Sequence, residues 1–135
     1  MKNLFFSFLT FALVALVNVS HANAQQVNAK IQEVYGVKTQ EMVANDPERL
    51  ALLTDLLDNR IKIIESVMDS NEKYPLLSQV AIVNKYNSSL TRDVVFDPLT
   101  FNPLKYDLNI LPKTPAVYRV DNTNYLIVIQ PQTIK

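Results

Sequence analysis

Carboxylates are the residues of this chain best suited to chemistry, and four of them, Asp55, Asp58, Glu65 and Asp69, fall within one stretch. A pair of carboxylates is the minimum for glycoside hydrolysis or for binding a hard cation. Asp58 and Lys62 lie four apart in the favourable acid-first order, and the remaining acids fall opposite an apolar stripe, as on a solvated helix face. No Asp-x-Asp-x-Asp-Gly loop supports calcium binding. The other candidate set is Ser78, Ser88 and Ser89 with Lys85 as base. Such a site needs a desolvated lysine held against the hydroxyl, whereas Lys85-Tyr86-Asn87-Ser88-Ser89 reads as the polar end of a helix. No catalytic, cofactor or metal residues are assigned.

Absences narrow the field further. Among the 135 residues there is no Cys and no Trp, one Gly (Gly36) and one His (His21). Zinc sites built on Cys or His, disulfides, Cys nucleophiles and Ser-His-Asp triads are therefore excluded. A single Gly excludes Walker and dinucleotide-binding loops. Lys and Arg number 13 against 13 Asp and Glu. Neither a phosphate backbone nor an anionic bilayer has an electrostatic reason to attract the chain, so no nucleic acid and no membrane contact beyond an export signal is expected.

What remains is recognition of another protein. Phe96, Phe101, Tyr106 and Tyr118, with Leu99 and Leu104, form an aromatic and apolar series of the kind enriched at interfaces. The competing use is to seal a small core, which needs most of its large apolar side chains inside. Tyr125, Ile127 and Ile129 lie on a segment, Tyr125 to Gln130, whose edge could be donated to another sheet. Its alternative is ordinary pairing with residues 92–96. Asn87-Ser88-Ser89 is an acceptor tripeptide with meaning only in a cell that N-glycosylates.

The N-terminus gives an address. Lys2, the apolar run Leu4 to Val17 and Ala22-Asn23-Ala24 follow the three-part pattern of an export signal, with Ser20-His21-Ala22 as a second cut site. A helix over the run covers roughly 21 Å of a bilayer core about 30 Å thick, short for a permanent anchor. No Cys follows it to carry lipid. Residues 1–24 are expected to be removed, leaving 25–135 as one domain in the periplasm or outside the cell.

Several elements would have to position these side chains. Val27, Ile31, Val34, Tyr35 and Met42 predict an amphipathic helix over residues 25–45, weakened at Gly36. Asp46-Pro47-Glu48 is a strong helix start, and Leu50, Leu53, Leu57, Ile61, Ile64 and Met68 extend the stripe to Asp69. Residues 76–90 fit a third helix, although Val80 to Val83 alone could be a strand. Residues 91–115 form a proline-punctuated connector. Within it Phe96-Asp97-Pro98-Leu99-Thr100 is followed directly by the similar Phe101-Asn102-Pro103-Leu104-Lys105, which predicts successive turns pinned by their aromatic and leucine side chains. Ala116 to Val120 and Tyr125 to Gln130 flank a four-residue turn and predict a hairpin. The fold class is α+β, two to three N-terminal helices packed against a C-terminal antiparallel hairpin or small sheet.

The Lys2-Asn3 start, the export signal, the abundance of Asn and Lys, and the ending Tyr118-Arg119-Val120-Asp121-Asn122-Thr123-Asn124-Tyr125-Leu126-Ile127-Val128-Ile129-Gln130-Pro131 resemble small exported Bacteroidota proteins of unknown function. That resemblance implies an envelope location and no activity. The expectation is an exported, non-enzymatic accessory subunit or adaptor that binds another envelope protein or itself. Its rivals are a hydrolase using Asp55, Asp58 or Glu65 and a carrier of an apolar small ligand.

Overall fold

The computed structural model describes residues 27–67 and 73–133. The expected export signal over residues 1–24, and Asp69, lie outside them. Three helices precede a small antiparallel sheet, so the architecture is α+β with the helices N-terminal to the strands.

Helix α1 spans Ala29–Tyr35 and is capped by Asn28, whose Oδ1 accepts from the Lys30 amide at 2.9 Å. It stops at Gly36, where φ is +52° and the amide donates to the Gln32 carbonyl at 2.8 Å. Positive φ is routine for glycine alone, so the weak point foreseen at Gly36 is a complete break. Helix α2, Lys38–Asn45, follows it. Helix α3, Pro47–Asp55, starts as its sequence predicts, with the Asp46 carboxylate accepting from the Arg49 amide at 3.2 Å and Pro47 at the first helical position.

The helix expected to reach Asp69 ends fourteen positions sooner. After α3 comes one π-helical turn, Leu56–Arg60, and then strand β1, Ile61–Glu65. Ile61-Lys62-Ile63-Ile64 satisfies a helical stripe and a strand equally well on apolarity. Its β-branched side chains favour the pleated surface, and pairing with a long partner strand outweighs the local pattern. Arg60 fixes the corner. Its guanidinium, 3 % exposed as a residue, donates to Asp55 Oδ2 at 2.7 Å, to the Ile110 carbonyl at 2.7 Å and to the Gln130 carbonyl at 3.3 Å.

Residues 76–90 do not form a helix either. A 3-10 turn at Leu77–Gln79 is followed by extended chain, in which the Val83 amide donates to the Lys105 carbonyl at 2.7 Å and the Asp107 amide to the Ala81 carbonyl at 2.8 Å. These long-range bonds replace the intrahelical ones.

The hairpin is present as Ala116–Arg119 (β2) and Tyr125–Ile129 (β3), with Asn122 at φ +57° in the connecting turn. The sheet order is β1-β3-β2, antiparallel throughout, with Ile61, Ile63 and Glu65 opposite Ile129, Ile127 and Tyr125. β1, and not residues 92–96, is therefore the third strand. Ile127 and Ile129 turn into the core with Ile31, Val34, Leu53 and Leu56. The second pentapeptide closes that core from below: Phe101 through Tyr106 are all buried, around a 3-10 turn at Pro103–Lys105.

Candidate partner-binding surface

Four of the aromatic residues singled out from the sequence form one continuous file. Ring centroids lie 5.4 Å apart from Tyr125 to Phe96, 5.0 Å from Phe96 to Phe101 and 5.6 Å from Phe101 to Tyr106. These are favourable offset and tilted spacings. Phe101 and Tyr106 are buried, while Phe96 and Tyr125 are half-buried. Tyr118 is half-buried and its hydroxyl accepts from the Asn109 amide at 2.9 Å. Ile127 and Ile129 are wholly enclosed. Since β3 has a neighbour on each side, its edge is not free to be donated; the outer strands are β1 and β2, and β2 is met on its outer side at Arg119, whose amide donates to the Pro75 carbonyl at 2.9 Å.

A polar cluster anchors the inner end of the file. Lys105, 8 % exposed, donates from Nζ to Asp93 Oδ1 at 2.7 Å. The Tyr106 hydroxyl donates to Asp93 Oδ2 at 3.1 Å and accepts from the Asp93 amide at 3.1 Å. Burial pushes the Tyr106 phenol above its ordinary value. The Arg92 guanidinium stands 5.9 Å over the Tyr106 ring and donates to the carbonyls of Leu77 and Val80. Arg92 is thus spent on fixing backbone, and Lys105 is paired with Asp93.

From this anchored base a short segment projects. Val94 is 99 % exposed, Val95 79 % and Leu99 89 %, although all three are apolar. The residues between and beside them are held by contacts. Phe96 is held between Phe101 and Tyr125, and Asp97 Oδ1 accepts from the Leu99 amide at 2.9 Å. Two grooves flank the segment. Val94, Val95 and Phe96 line one of about 570 Å³, with Ser78 and Asp121 also in its wall. Pro98 and Leu99 line another of about 360 Å³, running along β1 past Ile61 and Ile63. In the first, the Ser78 hydroxyl donates to Asp121 Oδ2 at 2.6 Å and the Ser78 amide to Oδ1 at 3.0 Å; the hydroxyl bond holds the Asp121 carboxyl below its ordinary value.

Sequence reasoning named Phe96 and its aromatic neighbours and missed Val94 and Val95, because an isolated apolar pair has no period that separates an exposed loop from a strand.

The chemical candidates are scattered. Asp55 is engaged with Arg60 at 2.7 Å and with Asn59 Nδ2 at 2.9 Å, and Asp58 and Glu65 are exposed, one on the π turn and one at the end of β1. Ser78 is bound to Asp121, Ser89 Oγ donates to Asn87 Oδ1 at 2.6 Å, and Lys85 sits 5.4 Å over the Tyr86 ring. Among the described residues no three His, Cys, Asp or Glu side chains converge to hold a metal ion. No helix among them is long and apolar enough to cross a membrane. Against known proteins, the chain matches no family model, no curated protein and no solved structure.

Proposed function

We propose that this is an exported, non-enzymatic protein of the cell envelope, a small accessory subunit or adaptor, that binds another protein through the segment Val94 to Leu99 and the grooves on either side of it. The observation that carries the proposal is a set of nearly fully exposed apolar side chains mounted on a fixed base. Val94, Val95 and Leu99 are displayed within six residues of one another, and apolar side chains clustered on a surface characterise interaction sites. Their base is already ordered by the aromatic file and the Asp97 turn, so a partner would meet them without a large ordering cost. The export signal pattern at residues 1–24 supports the address. Cleavage near Ala24 would deliver the domain to the periplasm or the exterior.

The test is affinity purification of the tagged full-length protein from its own envelope in mild detergent, beside a Val94→Ser, Val95→Ser, Leu99→Ser variant. A stoichiometric companion recovered with the parent and lost from the variant, with Tm unchanged, is the expected result. A protein that comes through alone in both forms overturns the proposal.

A further inference from the structure

β1 is an edge strand whose outer side is open. The Gln130 amide donates to the Arg60 carbonyl at 2.8 Å and the Ser66 amide to the Asn124 carbonyl at 2.7 Å, so the even-numbered positions of this strand direct their backbone groups at β3. The odd-numbered positions face outward. Ile61 spends its N–H on the Leu56 carbonyl, whereas the N–H and C=O of Ile63 meet no partner among the described residues. Such a row is a template for another strand.

The groove of about 360 Å³ lies along this same edge. Its lining includes Ile61 and Ile63 of β1 and nothing from β2 or β3, with Leu57, Phe101, Pro98 and Leu99 completing an apolar trough. One charged residue lines it, Lys30. Lys30 Nζ donates to the Phe101 carbonyl at 2.8 Å, which uses one of the three donors of an ammonium group. A lone cation with donors to spare, set in an apolar trough beside an open strand edge, has three complementary requirements: an anion, an apolar side chain and an extended backbone.

A chain terminus carries all three. We infer that the β1 edge and this groove bind the free carboxyl terminus of a partner protein, laid down as a fourth strand on β1 with its last apolar side chain in the trough and its carboxylate on Lys30. The inference rests on the protein-binding proposal above and names the part of the partner that is held. The open backbone of Ile63 favours a peptide over a free fatty acid, which would use the trough and Lys30 but leave the edge bare.

The test uses the full-length protein and a pooled library of hexapeptides, alternating apolar and polar positions, made once with free carboxyl termini and once as terminal amides. Enrichment of the free acids with an apolar last residue is expected, with at least about tenfold weaker binding of the matching amides. A Lys30→Met variant should lose that tenfold preference while still binding the matching amides. N-methylation of alternate peptide residues should abolish binding, because it removes the strand ladder without touching the protein. Absence of enrichment, or equal binding of acids and amides, overturns the inference. So does laurate that binds on its own and competes with N-methylated and unmethylated peptides alike, since it assigns the groove to a small apolar acid. If the companion of the preceding experiment is still lost on mutating residues 94, 95 and 99 while no terminus binds, the protein-binding proposal stands and only this one falls.

Discussion

Phe96-Asp97-Pro98-Leu99-Thr100 and Phe101-Asn102-Pro103-Leu104-Lys105 are nearly the same pentapeptide written twice, and the chain folds them into opposite surroundings. Locally they are alike. In each, the Asx side chain accepts from the amide two residues on, at 2.9 Å for Leu99 and 3.1 Å for Leu104. Yet Leu99 is 89 % exposed and Leu104 6 %. The difference traces to two chemical groups. Asn102 has an NH₂ that donates to the Lys30 carbonyl at 2.9 Å and to Glu33 Oε2 at 3.0 Å, so it can be buried with its donors satisfied. Asp97 has no such donor, and a carboxylate in the second copy would face a carbonyl and another carboxylate. Lys105 then finds Asp93, where the first copy offers only Thr100. Turn chemistry sets the local shape of both copies, and side-chain polarity decides which is turned inward.

The leucines give the largest contrast. Leu104→Ala should destabilise the domain by about 3 kcal/mol, the ordinary cost of emptying a buried leucine site. Leu99→Ala should change stability by less than about 0.5 kcal/mol, as a surface substitution does. Urea denaturation of the two variants decides it, and similar losses at both positions would break the comparison.

The Asx exchange sharpens it. Asn102→Asp should cost about 2 kcal/mol, because a buried carboxylate replaces the donor and confronts Glu33 and the Lys30 carbonyl. Asp97→Asn, the reciprocal change, should be within about 0.5 kcal/mol of the parent at this exposed site. Equal effects in thermal unfolding would show that polarity is not what sorts the two copies.

Legibility in the sequence followed how local the deciding interactions are. The hairpin, the start of α3 at Pro47 and the turns at both pentapeptides were readable, because a cap, a fixed proline φ or a turn dipeptide acts within a few residues. Ile61 to Glu65 was not. Its conversion from helix to strand is decided by β3, some 60 residues later, and by Arg60 reaching the Ile110 and Gln130 carbonyls. Residues 76–90 failed for the same reason, since Val83 and Asp107 bonds across the fold displaced a helix whose apolar spacing was adequate. The aromatic file was legible as a set of residues but not as a structure. Phe96 and Phe101 carry the same residue type at the same place in the repeat, so only the tertiary arrangement distinguishes the half-buried ring from the enclosed one.

The smallest expected effect separates the two copies by acidity. Beside the exposed copy, Asp121 ties the Leu77–Gln79 turn to the hairpin through Ser78, and the hydroxyl bond holds its carboxyl below the usual 3.8. A depressed folded value means that the ionised form is favoured by folding, so this contribution is fully present above about pH 4 and is lost as the pH falls through the folded value. Beside the buried copy, the corresponding acceptor is Asn102, an amide with no proton to gain. Hydrogen exchange should show protection of the Ser78 amide declining relative to its intrinsic rate as the solution is taken from pH 5 towards pH 3, while the Leu104 amide, held by Asn102 Oδ1, keeps its protection. If both amides lose protection together, the groove wall opens only with the whole domain, and the exposed copy is no looser than the buried one.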